Sequence, residues 1–259
     1  MEWTGEAIVL TARRLGESNV ILEIMSESHG RHAGVVRGGK SRRLQPVLQP
    51  GNQVQVTWRA RLTDQMGQFA IDPVKSRAAR LMETPLGLHS VQHLAGLLRL
   101  MPERDPHPRL FHALSVVLDH MDSPQVAAPL LVRFELELLA ELGFGLDLTA
   151  CAATGRMDDL AYVSPNSGRA VSREAGLPYH DKLLPLPGFL VEGQRQQGGE
   201  ISFTDIAEGF RLTSFFLERI REAGHDTLPQ APSLALLRAP VLSAVEKGYR
   251  EAQPWDFMT

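Results

Sequence analysis

The chain has 259 residues, 43% hydrophobic and 22% charged, with a formal net charge of -3, a globular composition with material for one large or two to three small cores. No run reaches the ~18 consecutive apolar residues of a membrane span, and "MEWTGEAIVL" has no basic stretch ahead of an apolar one. The single cysteine, Cys151, excludes an internal disulfide, and the expectation is a cytoplasmic chain.

In chain order, "EAIVLTA", "VILEIMS", "HAGVVRG", "NQVQVTWRA" and "GQFAIDPV" are β-branched or aromatic runs bounded by turn residues, and they predict five short strands. In "VQVTW", Val54, Val56 and Trp58 share one face and Gln55 and Thr57 the other. This places Trp58 in a core rather than free to stack on a base. Five such strands within residues 1–80 point to a Greek-key barrel of the OB type, a fold that often binds single-stranded nucleic acid along a basic groove.

After residue 80 the period becomes helical. "SVQHLAGLLRLM" and "LFHALSVVLDHM" predict two helices separated by "PERDPHP". In "APLLVRFELELLAELGFG", Leu131, Phe134, Leu138 and Leu142 form a stripe that ends at a capping Gly143. Ile206, Phe210, Leu217 and Ile220 mark a further helix ending at Gly224, and the last, around "SLALLRAPVLSAVEKGYREA", is expected to bend or break at Pro240. Residues 151–200, rich in Gly, Pro and Ser, read as a loop-dominated insertion with some packing material. The predicted fold class is therefore α+β, with a barrel over 1–80 and a helical domain over 81–259.

Charge separates the same two parts. Residues 1–80 carry 12 Lys and Arg against 7 Asp and Glu, whereas residues 81–259 carry 15 against 23. Within "GRHAGVVRGGKSRR" lie Arg31, Arg37, Lys40, Arg42 and Arg43 without one acid. The cluster is either the footprint of a polyanion contact or a solvated basic loop.

Other chemistry is poorly supported. Gly34, Gly39, Lys40 and Ser41 satisfy the phosphate-cradling G-x-x-x-x-G-K-S pattern. That loop needs a helix directly after Ser41, and Pro46 and Pro50 leave no length for one. A hairpin between strands, tipped with "RGGKSRR", is the alternative. His89 and His93 share a helix face, but no third metal ligand can be nominated and a structural role is favoured. Cys151 has no base to make it a nucleophile.

The stretches "GEAIVLTARRLGESNVILEIMSESHGRHAGVVRGGKSRRLQPVLQPGNQVQVTW", "RFELELLAELGFGLDLTAC" and "YVSPNSGRAV", in that order, resemble the bacterial DNA repair and recombination mediator family RecO over roughly residues 3–225. The resemblance implies an OB barrel, a helical body, a zinc-knuckle-like insertion, no cofactor and no catalytic site. It also implies binding to single- and double-stranded DNA, annealing of complementary strands, contact with the C-terminal tail of single-stranded DNA-binding protein (SSB), and loading of RecA together with RecR. Many relatives carry two C-x-x-C pairs in the insertion; here only Cys151 remains, with Thr154, Ser172 and Ala175 at the other positions, so no metal is expected. Packing by Leu160, Tyr162 and Val163, with hydrogen bonds from the polar replacements, is expected to hold the insertion instead.

The expected DNA contacts are Arg31, Arg37, Lys40, Arg42 and Arg43, with Arg59 and Arg61 as weaker candidates. Arg133 is the candidate anchor for the SSB tail. An NTPase built on residues 34–41 and a protein-only scaffold are the competing readings.

Overall fold

A computed structural model of the chain describes residues 1–192, 200–223 and 233–252. Two compact units divide it, Met1–Asp122 and Ser123–Thr259. The change of period near residue 80 marks where the first five strands are complete, not where the first unit ends.

The first unit is built on strands β1 (Glu2–Leu15), β2 (Asn19–Ser26), β3 (Gly30–Val36), β4 (Gln53–Arg59) and β5 (Gln68–Lys75). Their order, β1-β2-β3-β5-β4, returns to β1 and makes the expected OB-type barrel. β1 is twice the length of the apolar run that announces it because it serves two neighbours. Residues 2–8 pair with β4 and 7–15 with β2, and a register shift between Val9 and Thr11 turns the strand from one to the other. The β3–β5 seam is the weakest, held by the single parallel pair Val35–Gln68 and a Val35 N–H bond to the Gly67 carbonyl at 3.1 Å.

Inside the barrel, Val54, Val56 and Trp58 of β4 pack with Val9, Leu22, Ile24 and Phe69. Trp58 is 3% exposed and donates its indole N–H to the Met66 carbonyl at 2.9 Å. The predicted alternation thus holds, and Trp58 is a core residue.

The expected hairpin over "RGGKSRR" does not form, since β3 pairs with β2 and β5 rather than with β4. Residues 37–48 are instead a run of turns crossing from β3 to β4, and no helix follows Ser41. Gly34 answers a packing need, because a Cβ there would sit 2.7 Å from the Phe69 ring. The helix start that a phosphate loop requires is missing.

Helices α1 (Ala78–Met82), α2 (Pro85–Leu98) and α3 (Pro108–Asp119) complete this unit. The Thr84 hydroxyl caps α2 by accepting from the Gly87 N–H at 3.0 Å. Asn52, 2% exposed, ties the barrel exit to the turns before β4: its amide donates to the Pro46 and Val47 carbonyls, and its Oδ1 accepts from the backbone N–H groups of Arg77 and Ala78.

The second unit contains α4 (Pro124–Glu141), a small sheet, α5 (Arg173–Gly176), α6 (Phe203–Ala223) and α7 (Leu234–Ala252). The sheet's strands β6 (Leu160–Val163), β7 (Ala170–Ser172) and β8 (Leu184–Pro185) run in the order β7-β6-β8. α4 ends as predicted: Gly143 has φ +84°, its N–H meets the Ala140 carbonyl and the Phe144 N–H meets the Leu139 carbonyl. Ser202 and Asp205 form a reciprocal cap at the start of α6. α7 continues through Pro240 without a break. Gly224, expected to end α6, lies outside the described residues. Between α4 and α7, Arg238 donates to Glu135 at 2.8 Å, with the two side chains 5% and 1% exposed.

Candidate nucleic-acid interface

Two adjoining grooves open along the weak seam of the barrel. One, of about 680 Å³, is lined by Arg37, Arg59 and Arg61 together with Asn19, Gln65 and Gln68. The other, of about 400 Å³, is lined by Arg37, Arg43 and Arg59 together with Thr57, Gln68 and Asp72. Arg37, Arg59 and Gln68 belong to both, so the two make one continuous surface. Arg37 leaves the end of β3, Arg43 stands on the turns that follow, Arg59 ends β4 and Arg61 opens the β4–β5 loop.

All four arginines are exposed, and among the described residues Arg37, Arg43 and Arg61 have no carboxylate partner. Arg59 donates to Glu2 at 2.8 Å in an open pair, 67% and 52% exposed. The hydrogen bond from Arg59 holds the Glu2 carboxyl below its ordinary range, but salt screens such a pair and an arriving phosphate can displace it. Exposed guanidinium forks beside a groove suit phosphate oxygens. The apolar and amide walls provided by Val35, Met66 and Gln68 add contact area without a base-reading pattern.

The family model for the N-terminal region of recombination protein O matches residues 1–77, and that for its C-terminal region matches residues 86–226. The chain belongs to the RecO family. It is 50% identical over 252 residues to the DNA repair protein RecO of Sinorhizobium medicae (strain WSM419), covering 97% of this chain and 98% of that one. The Chelativorans sp. (strain BNC1) protein of the same name is 51% identical over 254 residues, 98% of this chain and 99% of its own. That of Rhizobium etli (strain CIAT 652) is 58% identical over 220 residues, 85% and 84% of the two chains.

Against this RecO-family barrel the remaining candidate residues separate clearly. Arg31 does not face the groove. Its guanidinium donates to Glu23 at 2.8 Å, to Glu103 at 3.2 Å and to the Met101 carbonyl at 3.3 Å, and its side chain is 12% exposed. Burial raises the Glu23 carboxyl, but hydrogen bonds from Arg99 and Arg31 outweigh it and leave the group below its ordinary range. Arg31 is committed to the protein's own packing and is removed from the contact set. Lys40 donates its ammonium to the Gly16 carbonyl at 2.7 Å, which pins the turns to the β1–β2 connection. Arg42 is exposed on the same turns but lines neither groove. Asn19, Gln65 and Gln68 escaped the sequence reading because nothing local distinguishes a groove amide from any surface amide.

In the second unit, Arg133 donates to the Phe189 carbonyl at 2.8 Å and lies 5.9 Å from the centroid of its ring, so its guanidinium serves the chain's own fold. A groove of about 400 Å³ lined by Phe144, Leu146, Phe216 and Arg219 offers exposed apolar surface next to a cation; Phe144 is 52% exposed.

The insertion does not fit zinc. Cys151 is the sole thiol of the four family positions, and the described residues contain no cluster of three or more metal-ligating side chains. The buried sulfur accepts instead from the Ser172 N–H at 3.2 Å. Burial pushes the thiol pKa up, but hydrogen bonds from Ser172 and Thr154 outweigh that and bring it to about 6. Leu160 and Val163 of β6 are buried, and the Tyr162 ring packs on Gly176. Two residues standing in place of metal ligands are thus bonded to the one ligand that remains.

Proposed function

We propose that the chain is a DNA repair and homologous-recombination mediator whose barrel, residues 1–80, holds single- or double-stranded DNA without sequence specificity. The observation that carries this reading is the convergence of Arg37, Arg43, Arg59 and Arg61, from two separate stretches of the chain, on two adjoining grooves that share Arg37 and Arg59. Phosphate contacts bind the backbone while leaving base edges free to pair, which is what annealing of complementary strands requires. Lys40 and Arg42 extend the positive surface beyond the groove. The reading assigns no catalytic step.

Family membership supports the wider role: loading of RecA with RecR on SSB-coated single strands, in the cytoplasm with the nucleoid. For the SSB tail, an acidic and apolar segment, the groove at the exposed Phe144 offers apolar surface. Its cation, Arg219, like Arg133, already donates to a backbone carbonyl, that of Pro165 at 2.6 Å, and lies over a ring, that of Phe215. Phe144→Ala should therefore lower tail affinity and Arg133→Ala should leave it unchanged. The test of the central reading is annealing of labelled complementary oligonucleotides, followed by fluorescence transfer. The wild type should accelerate pairing and Arg37→Ala/Arg43→Ala should lose most of that acceleration. A wild type that gives no acceleration would refute the annealing role.

A further inference from the structure

The β4–β5 loop, residues 60–67, forms one wall of the groove through Arg61, Gln65, Met66 and Gly67. A surface loop of this kind normally gives its carbonyls to water. Here five consecutive carbonyls are taken by the body of the unit. The Arg104 guanidinium donates to Thr63, to Asp64 at 3.5 Å and to Gln65 at 2.8 Å. The Trp58 indole donates to Met66 at 2.9 Å, and the Val35 N–H donates to Gly67 at 3.1 Å.

Arg104 stands on the connection between α2 and α3, about 40 residues beyond the loop it holds. Its backbone is left-handed at φ +64°, uncommon for a residue other than glycine. It is kept there by an N–H bond to the Arg31 carbonyl at 2.8 Å and by the Arg31–Glu103 bridge beside it. The guanidinium carbon lies 5.9 Å from the Trp58 ring centroid. A strained backbone whose side chain caps three successive carbonyls of a groove wall marks a residue held for a purpose beyond its own packing.

We propose that Arg104 is a positioning residue for nucleic-acid binding: it orders the β4–β5 loop so that Arg61 and the loop wall stand in place before a strand arrives. The proposal rests on the reading of the groove as a nucleic-acid site. Arg104 acts through the loop, and its own charge is spent on carbonyls. Releasing the loop would make each binding event order it anew, which weakens affinity without removing a cation from the groove.

The informative substitution is Arg104→Gly, which removes the guanidinium while suiting the left-handed backbone, so that the fold is kept. Three measurements decide the matter. Hydrogen exchange without DNA should show faster exchange at residues 61–67 and unchanged exchange within β1 and β2. Anisotropy of a fluorescein-labelled oligothymidylate should show binding about tenfold weaker. In the Arg61→Ala background the same substitution should cost much less, because the two residues act through one loop. Unaltered loop exchange, or losses that multiply in full between Arg61→Ala and Arg104→Gly, would overturn the proposal, the second outcome marking Arg104 as a direct contact. A wild type that binds the oligonucleotide without salt dependence would overturn the nucleic-acid reading itself, and the exchange data would still show separately whether Arg104 orders the loop.

Discussion

At one end of β3, Arg31 is enclosed by Glu23, Glu103 and the Met101 carbonyl; at the other end, Arg37 stands exposed at the mouth of a groove with no carboxylate partner among the described residues. The two are six residues apart in one basic stretch, yet one joins a helical connection to the barrel while the other is available to a ligand. The difference lies in what the fold brings across from far away in sequence. Residues 99–103 arrive at the start of β3 with a carboxylate and a carbonyl, whereas the groove at the end of β3 is shared with Arg59, Arg61 and Gln68, and the acid that lines it, Asp72, forms no ion pair with Arg37. A run of like charge therefore identifies a basic segment but not which of its members are free.

The sharpest way to break this comparison is to remove the carboxylate at the centre of the paired end. Glu23→Ala leaves Arg31 half-enclosed without its main partner and should lower unfolding stability by about 3 kcal/mol, read from urea denaturation. Arg37→Ala, at the open end, should change it by less than ~0.5 kcal/mol. Equal effects at the two ends would erase the distinction.

A second test uses pH. His32 lies among Trp3, Trp58 and Phe69 inside the barrel. Burial lowers its pKa to about 4, with smaller downward pushes from Arg104 and His29 and upward ones from the Ala33 carbonyl and Glu103. Between the ordinary value of 6.5 and about 4 the unfolded chain binds the proton and the folded one does not. Stability from this group is thus complete above that window and is lost as pH falls through it, by up to about 1.4 kcal/mol per pH unit. His32→Gln should flatten the decline between neutral pH and pH ~5; an unchanged slope would show that other groups carry it.

The smallest effect belongs to the insertion. Thr154→Ala should raise the Cys151 pKa, followed through the ultraviolet absorbance of the thiolate, with a stability loss of about 1 kcal/mol or less. No upward movement would mean that Thr154 does not hold the sulfur.

Much of the barrel was legible because its signals are local. The period in "VQVTW" placed Trp58 inside, turn residues separated the five strands, and Gly143 stood where α4 had to end. The features that escaped the reading depend on distant partners. The extension of β1 needs two neighbours at once, and the absence of a hairpin after β3 depends on β5 taking the place beside it. The Arg31 bonds to Met101 and Glu103 span 70 and 72 positions and the Arg104 clamp spans 39 to 41, and no spacing rule connects them. For the same reason Arg37 and Arg43 could be nominated from charge, while the amides of Asn19, Gln65 and Gln68 could not.

The most direct test of the groove as the DNA contact is the salt dependence of binding. Anisotropy of a labelled single-stranded oligonucleotide across a salt series gives a slope of about -0.7 per phosphate engaged. For Arg37→Ala/Arg43→Ala the slope should be shallower than the wild type's by about 1.4, two phosphates' worth, with weaker binding at every salt concentration. A wild type and double variant with the same slope and affinity would contradict the assignment of the groove.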